Sequence, residues 1–118
     1  MLTPHLEIAL ASLQARAPHI TADAFSAAIA DAVVHPVDVG GQPVGAVIVK
    51  GAEIHACIDP AARGLWMSRK LLRVLQAVVD QFGAATTHAT TESGRQFVVR
   101  LGFVPAGGAW ALGADHGL

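Results

Sequence analysis

Glu53, His55 and Cys57 alternate in the stretch EIHACI, and a strand period of two places alternate residues on one face. A carboxylate, an imidazole and a thiol arranged this way can move protons. His55 is the first choice for a general base, because an unperturbed imidazole titrates near working pH. Glu53, at the start of the strand, is the second. The same residues also suit a half-buried, hydrogen-bonded histidine and an exposed glutamate with no chemistry at all. Cys57 reads as a small core hydrophobe rather than a nucleophile. His88 falls in a neighbouring predicted strand, but two histidines without a third ligand do not make a metal site, and no metal is expected.

Immediately downstream the chain gathers positive charge. Arg63, Arg69, Lys70 and Arg73 are four of its eight Lys/Arg residues, and no acid interrupts them. They stand near the predicted start of a helix, where free N–H groups and the dipole already favour an anion. Cations there oppose helix formation slightly, so a phosphate-bearing ligand would explain their placement. The alternative is a helix capped by Asp59 with Pro60 as its first residue, leaving the cations as a solvated face.

The elements that must position these residues follow from punctuation and period. Thr3-Pro4 starts a helix that runs to about Arg16, with Leu6, Leu10 and Leu13 at helical spacing. Thr21 caps a second helix, with Asp23 in its first turn and Phe25, Ile29 and Val33 as its apolar stripe. His35-Pro36 is expected to end it. Residues 37–39, 44–49 and 53–58 read as three antiparallel strands separated by turns at Gly40-Gly41 and Lys50-Gly51. The longest helix is expected over 64–82, with Met67, Leu71, Val74, Leu75, Val78 and Phe82 on one face and Gly83 as its stop. Residues 85–90 suit a fourth strand, parallel to the third because a helix connects them. Thr86, Thr87, Thr90 and Thr91 could bind a ligand or simply suit a strand, and Thr90 or Thr91 can cap a short helix over 92–101, closed by Gly102. Phe103-Val104 and residues 109–112 suggest terminal strands around Gly107-Gly108, followed by a frayed tail. The expected class is α+β: a three-layer α/β/α arrangement in one domain, with helices on both faces of a mixed, mostly antiparallel sheet.

Composition narrows the function. The chain has 118 residues and a net charge of −1, without the basic face of a general nucleic-acid binder. Hydrophobic residues make up 53%, but much of this is alanine and no apolar run is long enough to span a bilayer. The start, MLTPHLEIAL, lacks the basic region of a secretory signal. One cysteine excludes an internal disulfide and a cysteine zinc cage. A soluble, cytoplasmic protein with no nucleic-acid or membrane partner is the expectation.

Two stretches carry a family resemblance. Ile58-Asp59-Pro60 followed by Arg63-Gly64-Leu65-Trp66-Met67-Ser68 stands where the GNAT superfamily of N-acetyltransferases has a strand ending in apolar-x-Pro and then a helix-opening Arg/Gln-x-x-Gly-x-Gly/Ala. Arg100-Leu101-Gly102-Phe103-Val104 stands where that family ends a short helix in Leu-Gly-Phe. Over roughly residues 20–112 the chain resembles this family, and looks most like the abbreviated GNAT-like proteins of bacteriophages and prophages. The resemblance implies acyl-coenzyme A binding in a V-shaped opening between strands 53–58 and 85–90. The pyrophosphate would lie against the junction loop. The implied cofactor-binding residues are Cys57, Ile58, Arg63, Gly64, Leu65, Trp66, Met67, Ser68 and Arg69. The implied activity is acetyl transfer from acetyl-CoA to a small-molecule or protein amine by direct attack, with His55 or Glu53 as base through water.

Other features favour a different reading. Trp66 and Ser68 replace the motif's small residues, and Val98 stands where family members often place a tyrosine acid; the chain has no tyrosine. A GNAT-like fold without catalysis, serving as a binding or virion-associated structural module, fits these. A third reading is an unrelated α+β protein that dimerises through its terminal strands. An edge strand such as 109–112 would be a hazard if unpaired, so a homodimer is compatible with every reading.

Overall fold

The structure is a computed structural model and describes residues 2–62, 64–89 and 92–113. Among them are four α-helices: α1 (Pro4–Gln14), α2 (Ala22–Ile29), α3 (Arg69–Phe82) and α4 (Glu92–Leu101). There are six strands: β1 (Val33–Val39), β2 (Gln42–Lys50), β3 (Glu53–Ile58), β4 (Ala84–Thr87), β5 (Val104–Ala106) and β6 (Ala109–Gly113). Their hydrogen-bonded order is β1-β2-β3-β4-β6-β5. The β3–β4 pair is parallel, while β1–β2, β4–β6 and β5–β6 are antiparallel. The class is therefore α+β with a mixed sheet. Contacts group the chain into two units. The first holds the residues up to Lys50 with His55–Trp66, and the second Gly51–Ile54 with the residues from Met67 on.

In the first unit, the Thr3 hydroxyl accepts the Leu6 N–H at 3.2 Å, and Pro4 takes the first turn, where its missing N–H costs nothing. Thr21 caps α2 in the same way, accepting the Ala24 N–H at 3.1 Å. The Gln14 side chain donates to the Ile20 carbonyl at 2.8 Å, fixing the short α1–α2 connection. Ala9 and Leu10 of α1 and Phe25 of α2 pack with Ala46, Ile48 and Cys57 as one buried cluster. Residues Ala46, Val47, Ile48 and Val49 are all buried, so β2 is covered on both faces.

The β1–β2 hairpin turns at Gly40-Gly41, both at positive φ, as a two-residue type I′ turn requires. Its register shifts between Val37, opposite Gly45, and Asp38, opposite Pro43, leaving Val44 as the extra residue of a β-bulge. Gly45 has φ +138°, and a Cβ there would lie 2.1 Å from the Cys57 carbonyl oxygen. Only glycine allows the β2 and β3 backbones to come this close.

The second helix is shorter than its sequence suggests. His35-Pro36 does not end α2 but lies inside β1, and Val33 is an exposed strand residue rather than part of a helical stripe. The β-branched run Val33-Val34 favours a strand, and Pro36 is tolerated because β1 is an edge strand with a single neighbour.

In the second unit, α3 begins at Arg69, not at residue 64. Gly64 sits at φ +79°, outside helical space, and Ser68 provides the cap, its Oγ accepting the Leu71 N–H at 3.2 Å. Met67 thus precedes the helix, and Phe82 at its end is exposed. The buried stripe is Leu71, Leu75, Val78 and Val79. Gly83, at φ +82°, ends α3, its N–H bonding the Val79 carbonyl at 2.8 Å. The fourth strand stops at Thr87, three residues before the expected end, leaving His88 outside it. Residues 109–112 do not form an edge: β6 lies between β4 and β5, and β5 is the edge.

The β5–β6 hairpin turns at Gly107 (φ +59°) and Gly108 (φ +89°). In such a two-residue turn the flanking pair, here Ala106 and Ala109, exchanges both backbone hydrogen bonds. By alternation, Pro105 turns its backbone groups away from β6, and it has no N–H to offer. Both ends of the strand order therefore carry a proline, Pro36 in β1 and Pro105 in β5, which blunts edge-to-edge pairing.

Gly45→Ala is expected to destabilise the protein by more than about 3 kcal/mol, because the clash is with backbone and the φ is wrong for a side chain. The midpoint of urea unfolding measures this; a shift under about 1 kcal/mol would contradict the close approach. Pro105→Thr is expected to leave the fold intact and increase self-association, seen as a concentration-dependent rise in sedimentation coefficient beyond that of the wild type.

Candidate functional site

The β3 strand carries the alternating set. Glu53 is exposed, His55 half-buried and Cys57 buried at 4% exposure. The Cys57 side chain belongs to the core cluster under α1 and α2. Burial pushes its thiol pKa up, against a smaller opposing pull from the Arg16 guanidinium. A thiol held neutral in an apolar core is a poor nucleophile.

Each of the last residues of β3 is fixed individually within the first unit. The missing Cβ of Gly45 makes room for the Cys57 carbonyl. The Ser12 hydroxyl of α1 donates to the Ile58 carbonyl at 3.0 Å. The Asp59 N–H donates to the carbonyl of the bulged Val44 at 2.8 Å. Beyond this point Asp59 does cap a turn, accepting the Ala61 N–H at 3.0 Å through Oδ1, but the turn is a single 3-10 turn, Pro60–Ala62, and not the start of the long helix. Ala62 is buried and accepts the Leu65 N–H at 3.1 Å. Arg63 lies outside the described residues. Gly64 has nothing within 4 Å of where a Cβ would stand. Leu65 is 67% exposed, and Trp66 is half-buried.

The second unit contains the remaining candidates. Met67 is half-buried. The Ser68 hydroxyl is engaged as the α3 cap. Arg69, Lys70 and Arg73 are all exposed, and α3 has no acidic residue in its first turn. The parallel ladder of β3 and β4 has one register pair, Glu53 with Thr86, and the Thr86 N–H donates to the Ala52 carbonyl at 2.8 Å. The Thr87 hydroxyl donates to the Ile54 carbonyl at 2.6 Å. These two threonines thus tie strands together. Thr90 and Thr91 lie outside the described residues. The Arg95 guanidinium is held by Glu92 at 2.9 Å on an exposed face of α4 that also presents Gln96, Val99 and Arg100. Val98, where the resembled family often has a tyrosine, is buried. His88 is exposed past the end of β4. Among the described residues no group of three or more His, Cys, Asp or Glu could hold a metal ion. None of their helices is long and apolar enough to cross a membrane.

Comparison of the chain with protein-family models, with curated proteins and with solved structures finds no match in any of the three.

Ser12 and Gly45 escaped the sequence reading, although each left a trace. A serine within a helix is a weak helix former with a hydroxyl to place, and a glycine inside a β-rich run marks a bulge or a close backbone approach.

The Cys57 thiol gives a pH prediction whose sign follows from proton counts. Above the unfolded thiol pKa of about 8.5, the unfolded chain has lost a proton that the folded chain keeps. The contribution is therefore whole below that pH and lost as pH rises toward the raised folded value. Relative to Cys57→Ala, the wild-type unfolding free energy is expected to fall by up to about 1.4 kcal/mol per pH unit across that window. Parallel slopes in urea denaturation from pH 7.5 to about 10 would rule this out.

Proposed function

We propose that the chain is a GNAT-like N-acetyltransferase that passes an acetyl group from acetyl-CoA to an amine by direct attack. The observation that carries this is the first turn of α3, with Arg69 and Lys70 in it, Arg73 just after, and no acid to balance them. That placement suits a pyrophosphate, because helix N–H groups, dipole and side chains all attract it. Taken by itself, the junction loop of the first unit also suits an anion, because Gly64 has open space where a side chain would stand. Helices covering both faces of the sheet, as in the three-layer family fold, are part of the same proposal, as are Cys57 and Ile58 as the strand end beside the pantetheine arm.

The cosubstrate supplies an activated thioester. The chain's own residues would orient it and handle one proton. The amine lone pair forms the new C–N bond as the C–S bond breaks, and the thiolate leaves with the electron pair. The proton released by the amine passes to His55 or Glu53 through water, and solvent protonates the thiolate. No covalent enzyme intermediate is needed.

Val98 favours the second reading, a binding or virion-associated module of the same fold without catalysis. It is apolar and buried, so it cannot protonate a departing thiolate.

Calorimetric titration with acetyl-CoA tests the proposal. Saturable binding is expected, weakened about tenfold or more by Arg63→Glu, since the substitution turns an attraction for phosphate into a repulsion. Absence of binding up to about millimolar ligand, the limit of a weak specific site, would overturn it. Binding without acetyl transfer to any amine in a screen would favour the second reading.

A further inference from the structure

Three successive residues at the end of β3 are gripped from two different elements, and the α1 contribution is a side chain. Ser12 sits near the end of α1, where a serine hydroxyl commonly bonds back to the carbonyl one turn earlier or points into solvent. Here it instead donates to the Ile58 carbonyl, 46 residues away, at 3.0 Å in a part-buried setting. On one side of Ile58 the Cys57 carbonyl fits under Gly45, and on the other the Asp59 N–H is held by Val44. Those two contacts are backbone features of β2 and fix where β3 runs. Ser12 adds a hold that depends on a side chain of the N-terminal helix.

We propose that Ser12 is a positioning residue: its hydroxyl on the Ile58 carbonyl sets the order of the junction loop at residues 59–62 and 64–65. Two described bonds of the loop start at Asp59, and a third follows from Ala62. The Asp59 Oδ1 takes the Ala61 N–H, the Asp59 carbonyl takes the Ala62 N–H at 2.9 Å, and the Ala62 carbonyl takes the Leu65 N–H. A freed Ile58 carbonyl would turn toward water and rotate the Ile58–Asp59 peptide, loosening the first link of that chain. Because the loop is the proposed phosphate site, its order would set acetyl-CoA affinity; this consequence rests on the acetyltransferase reading, while the ordering itself does not.

The experiment compares wild type, Ser12→Ala and Ser12→Thr by amide hydrogen exchange and by acetyl-CoA titration. Alanine is the better helix former, so α1 survives the first substitution, and threonine restores the hydroxyl. In Ser12→Ala, exchange at Ala61, Ala62 and Leu65 is expected to accelerate about fivefold, the worth of one hydrogen bond of about 1 kcal/mol, with Ala85 and Leu112 unchanged. Acetyl-CoA affinity is expected to weaken by a similar factor. Ser12→Thr should recover both. Unchanged loop exchange, or equal acceleration at Ala85 and Leu112, would overturn the proposal. Accelerated loop exchange with unchanged affinity would uphold the ordering and overturn its link to acetyl-CoA. Accelerated loop exchange in a protein that binds no acetyl-CoA even as wild type would uphold the role of Ser12 in ordering the loop and refute the acetyltransferase reading.

Discussion

Everything at the end of β3 depends on an absent carbon. A methyl group at position 45 would stand 2.1 Å from the Cys57 carbonyl oxygen, well inside van der Waals contact. With glycine there, β2 bulges at Val44, and the bulged carbonyl becomes available to the Asp59 N–H. That bond carries the chain out of the strand and into the 3-10 turn. The same close approach lets Cys57 sit in the cluster formed by Ala9, Leu10, Phe25, Ala46 and Ile48. A packing constraint in the core and the geometry of an exposed loop thus share one cause.

Charge contributes differently. The His5–Asp38 pair at 2.9 Å and the Lys50–Asp31 pair at 3.2 Å are solvent-accessible, and such pairs add about 0–1 kcal/mol each. Lys50 also donates to the Ala28 carbonyl near the end of α2, where a cation complements the helix dipole. Lys50 thus has structural partners. Arg69, Lys70 and Arg73 stand at the other end of a helix, where the dipole disfavours them, and the proposed anion site rests on this contrast.

Elements with a terminating signal of their own were legible in the sequence. Thr3-Pro4, Thr21 and Gly83 each mark a boundary that the structure keeps, because a cap acts locally and needs no partner elsewhere. The alternation of Glu53, His55 and Cys57 was legible for the same reason: β3 runs from residue 53 to 58 as read. Pro36 misled, because proline ends a helix and also sits comfortably at a sheet edge, and only the strand order tells the two apart. The start of α3 misled because Asp59-Pro60 and Ser68 are both good starts, and the choice between them lies with Gly64. The Ser12–Ile58 bond joins residues far apart in sequence and has no pattern to be read from.

The two edge prolines also limit how this protein can recognise another. Many proteins bind an extended peptide by adding it to a sheet as one more strand, which needs a run of outward N–H and C=O groups. Pro36 interrupts that run in β1. In the three-residue β5, the outward position is Pro105 itself, which offers a carbonyl and no donor. Any polypeptide that bound at the described edges would meet no unbroken run of backbone donors and would rely on its side chains. Its sequence would then matter more than its ability to extend.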